Sequence, residues 1–237
     1  MDITTHTMVR DEINTVAYGL MSVASLATKM IVTDTGSTDG TWEMLLELQS
    51  HLPQMKLERV TTYDCRQFLW RDSNLSINFN PNQKLTDIRQ SHINRTTTEL
   101  SMVLDGDEIY TPSIIRRLKY YMEDIQSAIY VPFLHFSVDH NHTAYGFPYY
   151  GRIFRTEGLS LQGAYPHEQH CMNGVPLFPG AADVMVLTSD MITPVFHYQM
   201  VYKPYRRNVR DLKEYTGLQP EVFSDVKIQQ LVEKYRK

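Results

Sequence analysis

Through its first 125 residues the chain alternates short apolar runs with segments of helical periodicity. Residues 3–9 read as a strand ending at Arg10-Asp11-Glu12. Val16, Leu20, Val23 and Ala27 recur at helical spacing through 14–27, residues 30–33 form a short buried strand, and Trp42, Leu45, Leu46 and Leu52 mark the next helix. Residues 56–60 predict a third strand, 87–97 a helix carrying Ile88 and Ile93, and 101–104 a fourth strand. Thr111-Pro112 opens a helix with proline at its first position, its apolar face made by Ile114, Ile115, Leu118, Tyr121, Met122 and Ile125. Strands that alternate with helices are joined by crossovers, which lay them parallel and cover both faces of the sheet. The expected class is α/β, with a mostly parallel central sheet. Ligands of such sheets bind outside the carboxyl ends of the strands. The loops that follow residues 33 and 104 should therefore open on the same edge.

The second half is less regular. Residues 128–138 alternate as a strand, 139–150 form a loop rich in His, Asn and Tyr, and GRIFRTEG leads through a turn to YPHEQH at 165–170. Residues 61–84 have little periodicity, and loops that long are commonly functional or disordered. No repeat or linker divides the 237 residues, so a single domain is expected, its halves falling at 1–110 and 111–237. A net charge of −4 gives no case for nucleic-acid binding. Residues 203–237 hold nine Lys/Arg against five Asp/Glu, a basic segment that either meets an anion or is a solvated helix face. Two cysteines without CxxC spacing argue against a zinc ribbon and a disulfide framework. No apolar run nears the length of a membrane span and no basic-then-apolar leader begins the chain. A cytoplasmic protein is expected, with peripheral membrane contact left open.

Two acid-rich loops carry the chemistry. The first follows the strand at 30–33: Asp34-Thr35-Gly36-Ser37-Thr38-Asp39-Gly40-Thr41. A phosphatase nucleophile would need an acid at 37, where Ser37 stands. An EF-hand counted from Asp34 would need Gly and Glu where Asp39 and Leu45 stand, and no Gly-Lys-Ser/Thr of a P-loop is present. Gly36 and Gly40 permit a tight turn, and Ser37, Thr38 or Asp39 can cap the following helix. Turn chemistry leaves Asp34 unexplained. A carboxylate at the end of a buried strand suits a hydrogen-bonding ligand such as a base or ribose. The second loop, MVLDGDEIY at 102–110, gathers three carboxylates within four residues. They repel one another unless something positive is bound; a divalent cation shared with diphosphate oxygens is the natural partner, a solvated acidic turn the plainer alternative. Gly106 between Asp105 and Asp107 lets the chain turn so that both can approach one ion.

Together these segments resemble family-2 glycosyltransferases of the GT-A fold, a Rossmann-like architecture. Residues 34–41 are similar to that family's strand-end motif D-x-G-S-x-D-G-T, MVRDE at 8–12 to its first strand, and LDGDE at 104–108 to its D-x-D-E element, about 70 residues after the first acid motif. The resemblance covers residues 3–110 well, weakens through 111–150 and returns faintly at 151–200. It implies that Asp34 contacts the nucleobase of a nucleotide sugar. It also implies that Asp105 and Asp107 bind the ribose and a divalent metal, Mn²⁺ or Mg²⁺, that holds the diphosphate. The family's arginine on the helix before D-x-D corresponds to Arg89, which would face the nucleotide; its Asn neighbour is here Gln90.

Inverting transfer needs a carboxylate to take the acceptor's proton. Many relatives present it as Glu-Asp after the second sheet segment; Glu123-Asp124 falls too early, and His167-Glu168 after R-x-F-R is the match, which nominates Glu168. His197 in VFHYQ is a second candidate, as a late metal ligand or a satisfied core group. Lys203, Arg206 and Arg207 beyond it either close over the diphosphate or are solvated. His135, His140, His142, His167 and His170 fall in one region, in spacings that do not fit HExxH, so a zinc site and a polar loop both stand. The expected activity is metal-dependent, inverting transfer of a sugar from a UDP-linked or other nucleotide donor to a hydroxyl of a glycan, lipid-linked or protein acceptor. Its rivals are a nucleotidyltransferase, which usually carries a Gly-rich basic loop that residues 8–20 lack, and a non-catalytic nucleotide- or sugar-binding module of the same fold.

Overall fold

The computed structural model describes residues 1–60, 81–135, 149–164, 168–188, 191, 195–198 and 225–236, the side chains of 81–84 and 135 excepted. Its strands are β1 (Ile3–Val9), β2 (Lys29–Asp34), β3 (Met55–Arg59), β4 (Leu100–Val103), β5 (Glu108–Ile109), β6 (Ala128–His135), β7 (Tyr149–Arg155), β8 (Leu159–Gln162), β9 (Gln169–Met172), β10 (Val175–Pro176), β11 (Val184–Val186) and β12 (Val195–His197). Its α-helices are α1 (Val16–Val23), α2 (Thr41–Leu48), α3 (Pro81–Arg95), α4 (Pro112–Tyr121) and α5 (Val226–Tyr235). Among the described residues, nine strands form the main sheet, in the order β3-β2-β1-β4-β7-β6-β12-β5 with β11 also on β6; β10-β9-β8 form a small second sheet. The pairs β1/β2, β2/β3 and β1/β4 are parallel, as the alternation requires. Beyond β4 the sheet turns mixed, with β7 antiparallel to both β4 and β6. β11 and β12 both run parallel to β6.

Side-chain alternation in β1 explains why the two faces differ. Ile3 and Val9 join the larger core with Leu20 of α1, Leu45 of α2, Leu118 of α4 and Leu231 of α5. His6 and Met8 line a cavity against α3 instead. On that side Ile93, Val103, Phe154 and Leu159 form a second cluster, which joins α3, the main sheet and the small sheet. Each fully buried Leu or Ile contributes on the order of 2 kcal/mol, so the larger core is what holds the parallel half in register.

The helix starts follow local chemistry. Thr111 caps α4 by accepting from the Ile114 N–H at 3.3 Å, with proline in the first turn. α2 departs from expectation: Gly40, in the left-handed region at φ 101°, holds the cap position. A Cβ there would lie 1.9 Å from the Tyr235 carbonyl oxygen, so glycine also lets α5 dock. α5 is fixed on α2 by Lys234 and Tyr235, each 2.5 Å from Glu47. It is capped by Asp225, which accepts from Lys227 N–H at 2.9 Å. α3 starts at Pro81, earlier than the periodicity suggests, and α1 is shorter than expected. Among the described residues no helix is long and apolar enough to cross a membrane.

Candidate active site

The parallel strands deliver their loops to one edge. There the hydroxyls and acids of residues 34–41 are tied to the loop after β1. Ser37 Oγ accepts from Asp11 N–H at 2.9 Å, Thr41 Oγ1 from Glu12 N–H at 3.0 Å, and Asp39 Oδ2 from Ile13 N–H at 3.1 Å. Thr38 N–H donates to Asp11 Oδ1 at 2.8 Å, with Asp11 at φ 52°. The motif's polar residues thus hold two loops together rather than cap α2 alone.

Asp34 ends β2, as expected, and is fully buried. Its Oδ1 accepts from Gly36 and Ser37 N–H at 3.0 and 3.1 Å and lies 3.3 Å from Arg59 Nε. Arg59 in turn lies over Trp42, 5.0 Å from the ring centroid, and donates to the Ser37 carbonyl. Among the described residues Asp34 Oδ2 has no donor. A buried carboxylate oxygen left so costs stability unless a ligand supplies the N–H.

The D-x-D acids find their counter-charges inside the chain. Asp105 Oδ1 takes Arg89 Nη2 at 2.5 Å, and its Oδ2 takes Arg152 Nη2 at 3.3 Å. Arg152 also grips Glu108, through Nε–Oε2 at 3.1 Å and an Nη2–Oε1 contact. Its guanidinium lies over Phe133 and Tyr150, 4.8 and 5.5 Å from the ring centroids. Asp107 Oδ1 lies 3.3 Å from His197 Nε2, and the Asp107 carbonyl accepts from Tyr198 N–H at 2.9 Å. Pairing of β12 with β5, His197 opposite Glu108, brings that histidine in from 90 residues away. The acid cluster is therefore neutralised by two arginines and a histidine, and does not by itself demand a metal. Gly106 also has a different reason from the one its sequence suggests. Its φ is not among the positive ones, but a Cβ would lie 2.9 Å from Val9 Cγ1 and 3.1 Å from Glu12 Cγ, so the D-x-D turn needs room against β1.

These contacts set the protonation states. Burial works to raise Asp105, but Arg89 and Arg152 outweigh it and hold the carboxyl below its usual range. Burial pushes Glu108 up to about 7, against the pull of Arg152. Burial works to lower Arg152, but Glu108 and Asp105 outweigh it and push the guanidinium up, so it stays charged. Burial works to lower His197, but Asp107 and the neighbouring acids raise it.

Glu168 stands just before β9, its side chain 6% exposed. Its Oε1 pairs with Arg89 Nε at 3.0 Å, and among the described residues its Oε2 has no hydrogen-bond partner. Arg89 therefore joins the proposed base to the first D-x-D acid. Asp34 stands on the same sheet edge with its own partner, Arg59.

For a divalent cation, the donors that fit are Asp107 and His197, one carboxylate and one imidazole already side by side. Asp105 is turned to two guanidiniums instead. Among the described residues no three His, Cys, Asp or Glu side chains gather as a metal site. The histidines regroup as well: His170 stacks on Phe154, ring centroids 4.1 Å apart, and shares a one-water-sized cavity with His6 and His92. His140, His142, His167, Lys203, Arg206 and Arg207 lie outside the described residues. Sequence reasoning assigned no role to Arg152 or Arg59. The first R of R-x-F-R is the signal for Arg152, and the strand-end position beside β2 the signal for Arg59.

A family model described as Glycosyl transferase family 2 matches residues 7–175. The chain belongs to glycosyl transferase family 2. The match spans both acid loops, Arg152 and Glu168. No curated protein matches the chain. Among solved structures, S. aureus TarS superposes with TM-score 0.53 at 12% identity, over 98% of this chain and 39% of that one. A shorter TarS chain gives 0.49 at 12%, over 84% and 60%. Mannosyltransferase PcManGT from Pyrobaculum calidifontis, in complex with GDP-Man and Mn²⁺, gives 0.41 at 12%, over 65% and 44%. The chain thus spans 39% and 60% of the two TarS chains. At such identities the TarS likeness speaks to the shared GT-A fold alone.

Proposed function

We propose that the chain is a metal-dependent, inverting glycosyltransferase that moves a sugar from a nucleoside-diphosphate donor, UDP-linked, to a hydroxyl of a glycan, lipid-linked or protein acceptor. The observation that carries the reading is the Asp105–Arg89–Glu168 bridge, which sets a buried, half-satisfied carboxylate one side chain away from the D-x-D turn. Residues 1–237 act as one GT-A domain in this reading, with the donor on the first half. The buried Asp34 Oδ2 accepts an N–H of the base, and Asp105 faces the ribose side. Asp107 and His197 would hold Mn²⁺ or Mg²⁺, which supplies charge for the departing diphosphate.

Glu168 Oε2 takes the proton of the acceptor hydroxyl. The acceptor oxygen forms its bond to the anomeric carbon from the face opposite the diphosphate. The bond from that carbon to the phosphate oxygen breaks, and its electron pair leaves with the nucleoside diphosphate. One displacement of this kind inverts the centre. Arg152 holds Asp105 and Glu108 together throughout by neutralising both. Among the described residues the buried Cys171 forms no disulfide, and we place the reaction in the cytoplasm.

The test is turnover by the purified chain with Mn²⁺ and a panel of UDP-, GDP-, CMP- and dTDP-sugars. Nucleoside diphosphate should be released, and Glu168→Gln should slow release about 10²–10⁴-fold while still binding donor. Pyrophosphate as product would favour a nucleotidyltransferase. A donor-induced thermal shift without turnover would favour a binding module.

A further inference from the structure

The geometry points to Arg89 as the positioning residue for Glu168, an inference that rests on the reading of Glu168 as the base. Its guanidinium already bridges two carboxylates of the chain, Nη2 to Asp105 at 2.5 Å and Nε to Glu168 at 3.0 Å, with the side chain 13% exposed. Two of its three nitrogens, Nη2 and Nε, are thus committed to these acids.

The rest of α3 supports this role. Gln90, the next residue, accepts from Leu161 N–H of β8 at 2.7 Å, and its amide donates to Asn94 at 2.8 Å. One turn on, Ile93 packs in the cluster that holds Leu159 of β8. Two α3 contacts, from Gln90 and Ile93, thus reach β8 of the small sheet, and Glu168 is the residue that leads into that sheet's central strand, β9. The replacement of the family's Asn by Gln at position 90 has a use here: the longer side chain reaches the β8 backbone. A helix is a rigid support, whereas a loop residue ahead of a strand is less so. Arg89 carries that rigidity to the carboxylate. Its guanidinium is hydrogen-bonded to Asp105 and ion-paired with Glu168, a double service that its broad, planar charge suits better than a lysine's.

A positioning role and a donor-binding role part in the kinetics. The full chain is compared with Arg89→Lys, Arg89→Ala, Glu168→Gln and the double variant R89A/E168Q. kcat and KM are measured for donor and acceptor, donor Kd by calorimetry, and folding by melting temperature. The expected result is a fall in kcat of about 30-fold or more for both Arg89 variants, with donor Kd within about 3-fold of wild type. The double variant should be no slower than Glu168→Gln alone, because the arginine has nothing left to position. Added guanidinium should restore part of the activity of Arg89→Ala. If Arg89→Ala does not fold, Arg89→Lys and its double with Glu168→Gln carry the same comparison. Donor Kd raised about 10-fold with kcat nearly unchanged overturns the inference, as do effects of the two single variants that multiply. Wild-type chain that turns over no donor sinks both this inference and the proposed function; an active chain with independent effects sinks this one alone.

Discussion

Replacing Arg152 by Met removes the only cation that touches both Asp105 and Glu108 among the described contacts. Methionine fills much of the stem's volume, so the change is chiefly one of charge. Glu108 is 0% exposed and Arg152 is 12% exposed, which places the pair in the buried class. Breaking such a pair from one side costs about 3–5 kcal/mol, because a buried charge is left uncompensated. For a chain of 237 residues that corresponds to a fall in melting temperature of roughly 6–20 °C.

The cost should depend on pH with a definite sign. Glu108 titrates at about 7 with Arg152 in place, and higher without it. Its folded pKa lies above the ordinary value, so protonation stabilises the fold as pH falls. Between the two folded pKa values only the variant's fold carries the extra proton. The gap between wild type and Arg152→Met should therefore narrow by up to about 1.4 kcal/mol per pH unit from pH 9 to 7, then stay constant. Urea unfolding of wild type, R152M and E108Q/R152M at pH 7 and 9 measures this. The double variant should regain at least half the loss, since a neutral amide replaces the stranded carboxylate. A loss below about 1 kcal/mol at pH 9, or a double variant no more stable than R152M, would refute the buried-clamp argument.

Asp34→Asn turns an acceptor at Oδ2 into a donor, and should weaken nucleotide binding at least tenfold, about 1.4 kcal/mol, in a calorimetric titration; an unchanged Kd removes the base contact. Gly106→Ala should destabilise the fold by about 1–3 kcal/mol, read by urea unfolding, because its Cβ would lie 2.9 Å from Val9; a neutral result means the D-x-D turn can move away from β1. Acid should weaken the fold through buried neutral histidines: burial lowers His6 to about 3, His92 to about 4 and His170 to about 3. These folded values lie below the ordinary 6.5, so the unfolded chain takes up protons that the fold refuses. Stability should fall from pH 6.5 downward, by on the order of 2 kcal/mol per histidine at pH 5. A melting temperature flat from pH 7 to 5 would contradict it.

The parallel half was legible because its signals are local. An apolar run that ends in an acid, then a Gly-rich turn, then helical spacing locates β2, Asp34 and α2 without any tertiary knowledge. The strand-end rule then placed both acid loops on one edge, and the β1/β2 and β1/β4 pairings bear that out. Residues 108–109 and 159–197 were not legible as strands. Two- to four-residue antiparallel strands such as β5, β8 and β10 are too short for a period to emerge. Partners across the chain were illegible for a different reason. Nothing near Arg152 names Glu108, and nothing near His92 names Thr33, which its Nε2 meets at 2.8 Å.

The acid cluster shows what that gap does to a functional argument. Three carboxylates in four residues demand positive charge, and sequence alone offered a metal as the source. The fold supplies Arg89, Arg152 and His197 instead, from α3, β7 and β12. A cation that binds here meets acids already neutralised, so it must be favoured by donor chemistry at Asp107 and His197 and by the diphosphate it shares, rather than by raw negative charge. That makes metal affinity depend on the donor. Mn²⁺ alone should bind the chain weakly, and binding should tighten when a nucleoside diphosphate is present, with the same factor appearing when the order of addition is reversed. Calorimetry of Mn²⁺ with and without UDP measures both. Tight Mn²⁺ binding to the chain alone would mean that the arginines yield the acids to the metal, and the ion-paired cluster would then be a resting arrangement rather than the working one.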